Sequence, residues 1–198
     1  MYRKDKKDEF FTKKAQKEGY PARSVYKLQE IDKKYRIFKK GDRVLDLGCA
    51  PGSWLLYISK KVGSRGRVIG VDIEDVKIKK RENMIFIKKD VMDLEDSDLK
   101  KSFEQFQVVV SDLAPSVSGI KSRDVGKSLE LCEKALDLAK KVLSSKGVFI
   151  CKIFEGESTN EFFQKVKNNF AFVKRFRPKA VLKRSKEVYI VARGFKGE

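Results

Sequence analysis

The stretch Asp46–Trp54, D-L-G-C-A-P-G-S-W, carries on from the apolar run R-V-L-D-L at 43–47. A strand that runs into a glycine turn and then a helix is a frame for a nucleotide-like ligand, because the turn lets the ligand approach the backbone closely. A dinucleotide, a phosphate group and S-adenosylmethionine all suit such a turn. The dinucleotide fingerprint needs G-x-G-x-x-G, but Ala50 stands at its second glycine and Pro51 has no amide to give a phosphate. A phosphate loop fails because no G-K-[ST] follows. A sulfonium donor has no phosphate to cradle, and its cation, amino group and ribose hydroxyls suit carboxylates.

Outward from the turn, short apolar strands alternate with helical spacing. R-V-L-D-L (43–47), V-I-G-V-D (68–72), M-I-F-I-K (84–88), V-V-V-S-D (108–112) and G-V-F-I-C-K-I-F (147–154) read as strands. Residues 53–61, 125–143 and 160–170 read as helices, and P-A-R-S-V-Y-K-L-Q-E-I-D-K-K-Y (21–35) as an amphipathic helix on Val25, Leu28, Ile31 and Tyr35. Two final strands, 172–177 and 187–193, have no helix between them, which predicts one antiparallel strand at or near the sheet edge. The expected fold is α/β, a seven-stranded, mostly parallel sheet with helices on both faces. A single domain over 1–198 is expected, with residues 1–36 as a basic helical segment held to it by Phe10 and Phe11.

In such sheets the ligand sits at the carboxyl ends of the strands. Four of these strands end in or just before an aspartate: Asp46, Asp72, Asp90 and Asp112. With Gly48 and Gly52 shaping the turn, Asp72 is placed to accept from a ribose, Asp90 to face an adenine amine, and Asp46 or Asp112 to lie near the methionine end. The plain alternative is a glycine turn with surface aspartates.

Composition narrows the chemistry. There are 46 Lys+Arg against 28 Asp+Glu, a net charge of +18 in 198 residues. A heat-adapted surface adds both signs together, whereas this surplus favours a polyanion such as RNA. Three scattered cysteines give neither a disulfide framework nor a zinc spacing, and the absence of histidine removes every His-based catalytic device. No run of about 18 apolar residues suggests a membrane span, and the N-terminus lacks a signal-peptide core, so a cytoplasmic protein with no membrane partner is expected.

The segment after the fourth strand, S-D-L-A-P-S-V-S-G (111–119), bears on the methyl acceptor. It lacks the second proline and aromatic of enzymes that methylate exocyclic amines, and it lacks a cysteine nucleophile for carbon. A ribose hydroxyl remains, and it needs a base. Lys152, inside the apolar run C-K-I-F-E-G (151–156), is the candidate, because a lysine there is costly unless it enters a cleft or meets a carboxylate. A lysine snorkelling at a strand end is the plain alternative.

These motifs resemble the FtsJ-type ribosomal RNA large-subunit 2′-O-methyltransferases. The resemblance runs from A-R-S-V-Y-K-L-Q-E-I-D (22–32) through the glycine turn, S-D-L-A-P and C-K-I-F-E-G-E to S-K-E-V-Y-I-V-A (185–192). It implies a Rossmann-like class I methyltransferase fold and S-adenosylmethionine as cofactor. It also implies a Lys-Asp-Lys-Glu tetrad on Lys27, Asp112, Lys152 and Glu187. Its cofactor positions fall on Gly52, Trp54, Asp72, Asp90 and Asp112. The substrate implied is a uridine ribose in large-subunit rRNA, modified by a monomer. Related enzymes on a tRNA anticodon loop or an mRNA cap, and a non-enzymatic RNA-binding module, remain alternatives. Ser53 departs from a common second glycine and suits a helix cap. Ser116 departs from a common asparagine. Basic segments 3–23, with Lys13, Lys14 and Arg23, and 175–186 are the expected RNA contacts.

Overall fold

The computed structural model describes residues 6–102, 105–115, 121–156, 159–182 and 185–197, so Ser116 and Arg3 lie outside the described residues. Strands β1 (Arg43–Leu47), β2 (Arg67–Asp72), β3 (Met84–Lys88), β4 (Phe106–Ser111), β5 (Leu143–Phe154), β6 (Phe170–Phe176) and β7 (Glu187–Phe195) form one sheet, ordered β3-β2-β1-β4-β5-β7-β6. The first five are parallel to one another, and β7 is antiparallel to both β5 and β6. The antiparallel strand is thus second from the edge. Strand order reverses between β1 and β4, which opens a crevice at their carboxyl ends.

Helices are α1 (Lys6–Lys17), α2 (Val25–Tyr35), α3 (Ser53–Val62), α4 (Asp96–Lys100), α5 (Lys121–Val142) and α6 (Thr159–Asn169). The two-residue side-chain period of the strands divides the core. Val44, Val68, Val110, Ile150 and Val191 meet Leu28 and Ile31 of α2 and Leu55 and Ile58 of α3. Leu45, Leu47, Val109, Phe149 and Ile190 meet Leu136 and Ala139 of α5 and Phe162 of α6 on the other face. Asp46, Lys152, Glu187 and Tyr189 have the parity of the first set and so point to the α2/α3 side.

One sequence expectation changes, and one element is added. Phe11 packs on Tyr26 with ring centroids 5.3 Å apart, but Phe10 is 61% exposed, so one ring and Ala15 hold α1. Helix α4 and a 3-10 turn at Val91–Asp93 fill a stretch to which the sequence reading assigned no element. The signal for α4 is a capping box from Glu95 to Asp98, with a glutamate where serine or threonine is usual. No helix among the described residues is long and apolar enough to cross a membrane.

Candidate active site

The glycine turn opens a cavity of about 560 Å³ lined by Gly48, Ala50, Asp72, Asp90 and Asp112 among others. Gly48 has φ +77°, and a Cβ there would stand 3.0 Å from the Leu113 backbone nitrogen, so the floor admits only glycine. Asp72 is held by the backbone: its Oδ2 accepts from the Ala50 N–H at 2.8 Å and its Oδ1 from the Glu74 N–H at 3.0 Å. Asp90 is exposed on the rim, where Oδ1 accepts from the Met92 N–H and caps the 3-10 turn.

Asp46 lies deeper. It is fully buried between Gly70 and Val110 on the neighbouring strands, and neither carboxylate oxygen has a hydrogen-bond partner. Burial, then the charges of Asp112 and Asp72, push its carboxyl well above the usual range. An orphaned carboxyl beside two others is a poor site for phosphate and a good one for a cation.

Beside the cavity, the four residues of the expected tetrad meet. Lys152 is buried on β5. Its Nζ donates to the Asp112 carbonyl oxygen at 2.5 Å and pairs with Asp112 Oδ1 at 3.1 Å. Lys27 of α2 pairs with Glu187 Oε1 at 2.5 Å, each side chain about nine-tenths buried. Burial raises the Asp112 carboxyl, but Lys152, Lys27 and a hydrogen bond from Tyr189 outweigh it and hold the group below its ordinary range. The lysine that looked out of place in an apolar strand is thus paired with Asp112, a residue of the cavity lining.

Gly52 and Trp54 are not among the residues lining the cavity. Gly52, at φ +109°, precedes α3, and a Cβ there would meet the Ile78 side chain at 2.9 Å. Trp54 is buried and its indole N–H donates to the Ser24 carbonyl at 2.9 Å. Ser53 makes no cap. Its hydroxyl accepts from the Ala22 N–H at 2.7 Å and donates to the Ala22 carbonyl at 3.0 Å. Ser53 and Trp54 therefore fix the chain at Ala22–Ser24, just ahead of α2, and with it the approach of Lys27.

The basic segments are partly committed to the fold. The Arg177 guanidinium donates to the carbonyls of Glu187, Leu182 and Ser185, and Arg175 donates to Asn160 and covers the Phe163 ring. Arg23 lies 3.4 Å from the Ala180 carbonyl, and Lys13 pairs with Glu9. Lys179 and Lys186 are exposed. Sequence reasoning missed Tyr189, whose hydroxyl enters the cluster from β7. The period-2 spacing from Glu187 is the signal that places it on the same face.

A switch-point crevice, a glycine-floored acidic cavity and a buried lysine paired with the lining Asp112 define a Rossmann-like α/β protein built for a cationic nucleotide-like cofactor. The FtsJ-like methyltransferase family model matches residues 20–195. The chain is 47% identical over 187 residues to a ribosomal RNA large subunit methyltransferase E of Desulfatibacillum aliphaticivorans, covering 94% of this chain and 90% of the relative. It is 43% identical over 188 residues to the protein of that name from Bdellovibrio bacteriovorus, covering 93% and 95%. A crystal structure of a ribosomal RNA methyltransferase from Plasmodium falciparum superposes with a TM-score of 0.80 at 28% identity, covering 90% of this chain and all of that one. The chain belongs to the FtsJ-like methyltransferase family.

Proposed function

We propose that this protein transfers a methyl group from S-adenosylmethionine to the 2′-hydroxyl of a ribose in large-subunit ribosomal RNA, with a uridine as its nucleotide. It does so as a cytoplasmic monomer. The observation that carries the reading is the Lys27–Glu187 and Lys152–Asp112 cluster, joined to the acidic cavity by Asp112, which lines it. Homologues of the same length named for this RNA support the substrate.

The residues present fit the cofactor. Gly48 gives close backbone approach, Asp72 and Asp90 offer acceptors for ribose hydroxyls and an amine, and Asp112 with the orphaned Asp46 suits the cationic end. When bound, the cofactor supplies an electrophilic methyl on a sulfonium. The chain's own work is at the acceptor. Lys152 Nζ takes the 2′-hydroxyl proton or steadies the developing alkoxide. Asp112 fixes that amine through two contacts. Lys27, paired with Glu187, sets a second cation near the ribose and orients it.

The test is methyl transfer from labelled cofactor to large ribosomal subunits and to tRNA, with the modified nucleotide mapped. Label at a ribose O2′ of large-subunit rRNA is expected. Label on tRNA alone, or on a base, would overturn the proposal.

A further inference from the structure

Tyr189 lies two residues beyond Glu187 on β7 and directly opposite Lys152 in the β5–β7 ladder. It is fully buried, with its ring 5.9 Å from that of Trp54. Its hydroxyl oxygen stands 2.7 Å from Asp112 Oδ1 and 2.9 Å from Glu187 Oε1. The same two carboxylate oxygens pair with the lysines. The result is one continuous chain, Lys27–Glu187–Tyr189–Asp112–Lys152, in which the phenol joins two ion pairs that otherwise belong to different elements.

A phenol has one proton to donate, and here two carboxylates face it. Burial, then Asp112 and Glu187, push its ionisation far up, so the hydroxyl turns without ionising. Its preference follows the lysines. While both are ammonium ions, each carboxylate has its own cation. Once Lys152 is a neutral amine, able to accept a proton, Asp112 has lost that cation and becomes the acceptor in greater need.

We propose that Tyr189 is a positioning residue of the methyl-transfer reaction. Its hydroxyl donates to Asp112 while Lys152 is uncharged and turns to Glu187 once Lys152 holds the proton taken from the ribose. The inference rests on the function proposed above. Lys152 first releases its ammonium proton to water; the ribose O2′ proton then moves to Lys152 Nζ as the methyl leaves the sulfonium sulfur and bonds to that oxygen, and the Tyr189 O–H bond does not break. The charged groups packed around the chain are Lys27 of α2, Asp46 of β1, Asp72 of β2, Asp112, Lys152 of β5 and Glu187 of β7.

Tyr189→Phe keeps the ring and removes the hydroxyl. With labelled cofactor and RNA substrate, kcat is expected to fall about 10- to 100-fold. KM for RNA and the calorimetric Kd for cofactor should stay within about twofold. The pH–rate profile should also change, because Asp112, the partner of Lys152, loses a donor that holds its carboxyl down. In that background Glu187→Gln should cost less than it does in the wild type, since the two act through one chain. A Phe variant with wild-type kcat and pH profile would overturn the proposal. If that variant loses its cooperative melting transition, 3-fluorotyrosine placed at 189 alone makes the same test at unchanged shape. There, kcat equal to wild type overturns the proposal and a changed kcat at unchanged Tm supports it. A wild-type protein that methylates no RNA at all sinks the underlying reading, and this one with it.

Discussion

Lys152 and Asp46 are both buried ionisable side chains, and the difference between them separates two roles. Lys152 has an acid and a carbonyl within reach, so its charge is compensated before any substrate arrives. Lys152→Ala should cut kcat about 10²- to 10⁴-fold while calorimetry still detects the cofactor; near-normal turnover would refute the lysine's role. Asp46 has no partner and two like-charged neighbours. Its carboxyl is raised in the fold, so the fold binds more protons than the unfolded chain and loses stability as pH climbs above the ordinary 3.8. Asp46→Asn removes that penalty at neutral pH. The melting temperature should rise about 2–4 °C for each kcal/mol relieved, while cofactor affinity falls about tenfold as a cation loses its counter-charge. A variant that melts lower and binds normally would show that the carboxyl serves the fold alone.

At the scale of elements, α2 and α3 behave as one support. Asp32 near the end of α2 accepts from the Ile37 and Phe38 N–H groups, from the Tyr57 hydroxyl at 2.6 Å, and pairs with Lys61 at 2.9 Å. Burial raises its carboxyl, but Lys61, Tyr57 and the Phe38 amide together lower it below its ordinary 3.8. Such a group stabilises the fold above that pH and loses its contribution as the medium acidifies below it. Asp32→Ala should lower stability by about 3 kcal/mol at pH 7, read as a shift in the urea midpoint, and the deficit should shrink toward pH 3. A deficit independent of pH would point to lost packing instead. The elements themselves were largely legible, because β1 to β5 contain short apolar runs, the first four ending in or just before an aspartate, and β7 follows β6 without an intervening helix. The roles of Ser53 and Trp54 were not. In sequence Ser53 reads as a helix cap and Trp54 as a cofactor position implied by the resemblance, and only the long-range contacts with Ala22 and Ser24 reveal that both also hold the approach to α2. Lys27 and Glu187 were equally silent by pattern, since a lysine on a helix face and a glutamate at a strand start are ordinarily solvated. Their pairing exists only after α2 crosses to β7.

Across the whole molecule, a net charge of +18 sets the attraction for RNA, but the cations do not all serve it. Arg177 binds three carbonyls around Glu187, and Glu30 Oε1 and Oε2 accept from the Ala180 and Lys179 N–H groups, so residues 177–182 form a structured rim beside the tetrad. Lys179 is exposed on that rim and Lys186 is exposed just ahead of β7, at the carboxyl end of the sheet. These two should contact phosphates, whereas Arg177 should not. Each phosphate contact contributes a slope of about 0.7 to 0.9 in log affinity against log salt. The double variant Lys179→Ala/Lys186→Ala should therefore weaken RNA binding and flatten the salt slope by about 1.4 to 1.8, without changing cofactor affinity. Arg177→Ala should do the reverse: it frees the rim and unsettles Glu187, lowering kcat while the salt slope stays near that of the wild type. Filter binding over a salt series distinguishes the two. An Arg177 variant that flattened the slope as the lysine pair does would mean that the rim's hydrogen bonds yield to RNA rather than shape its path.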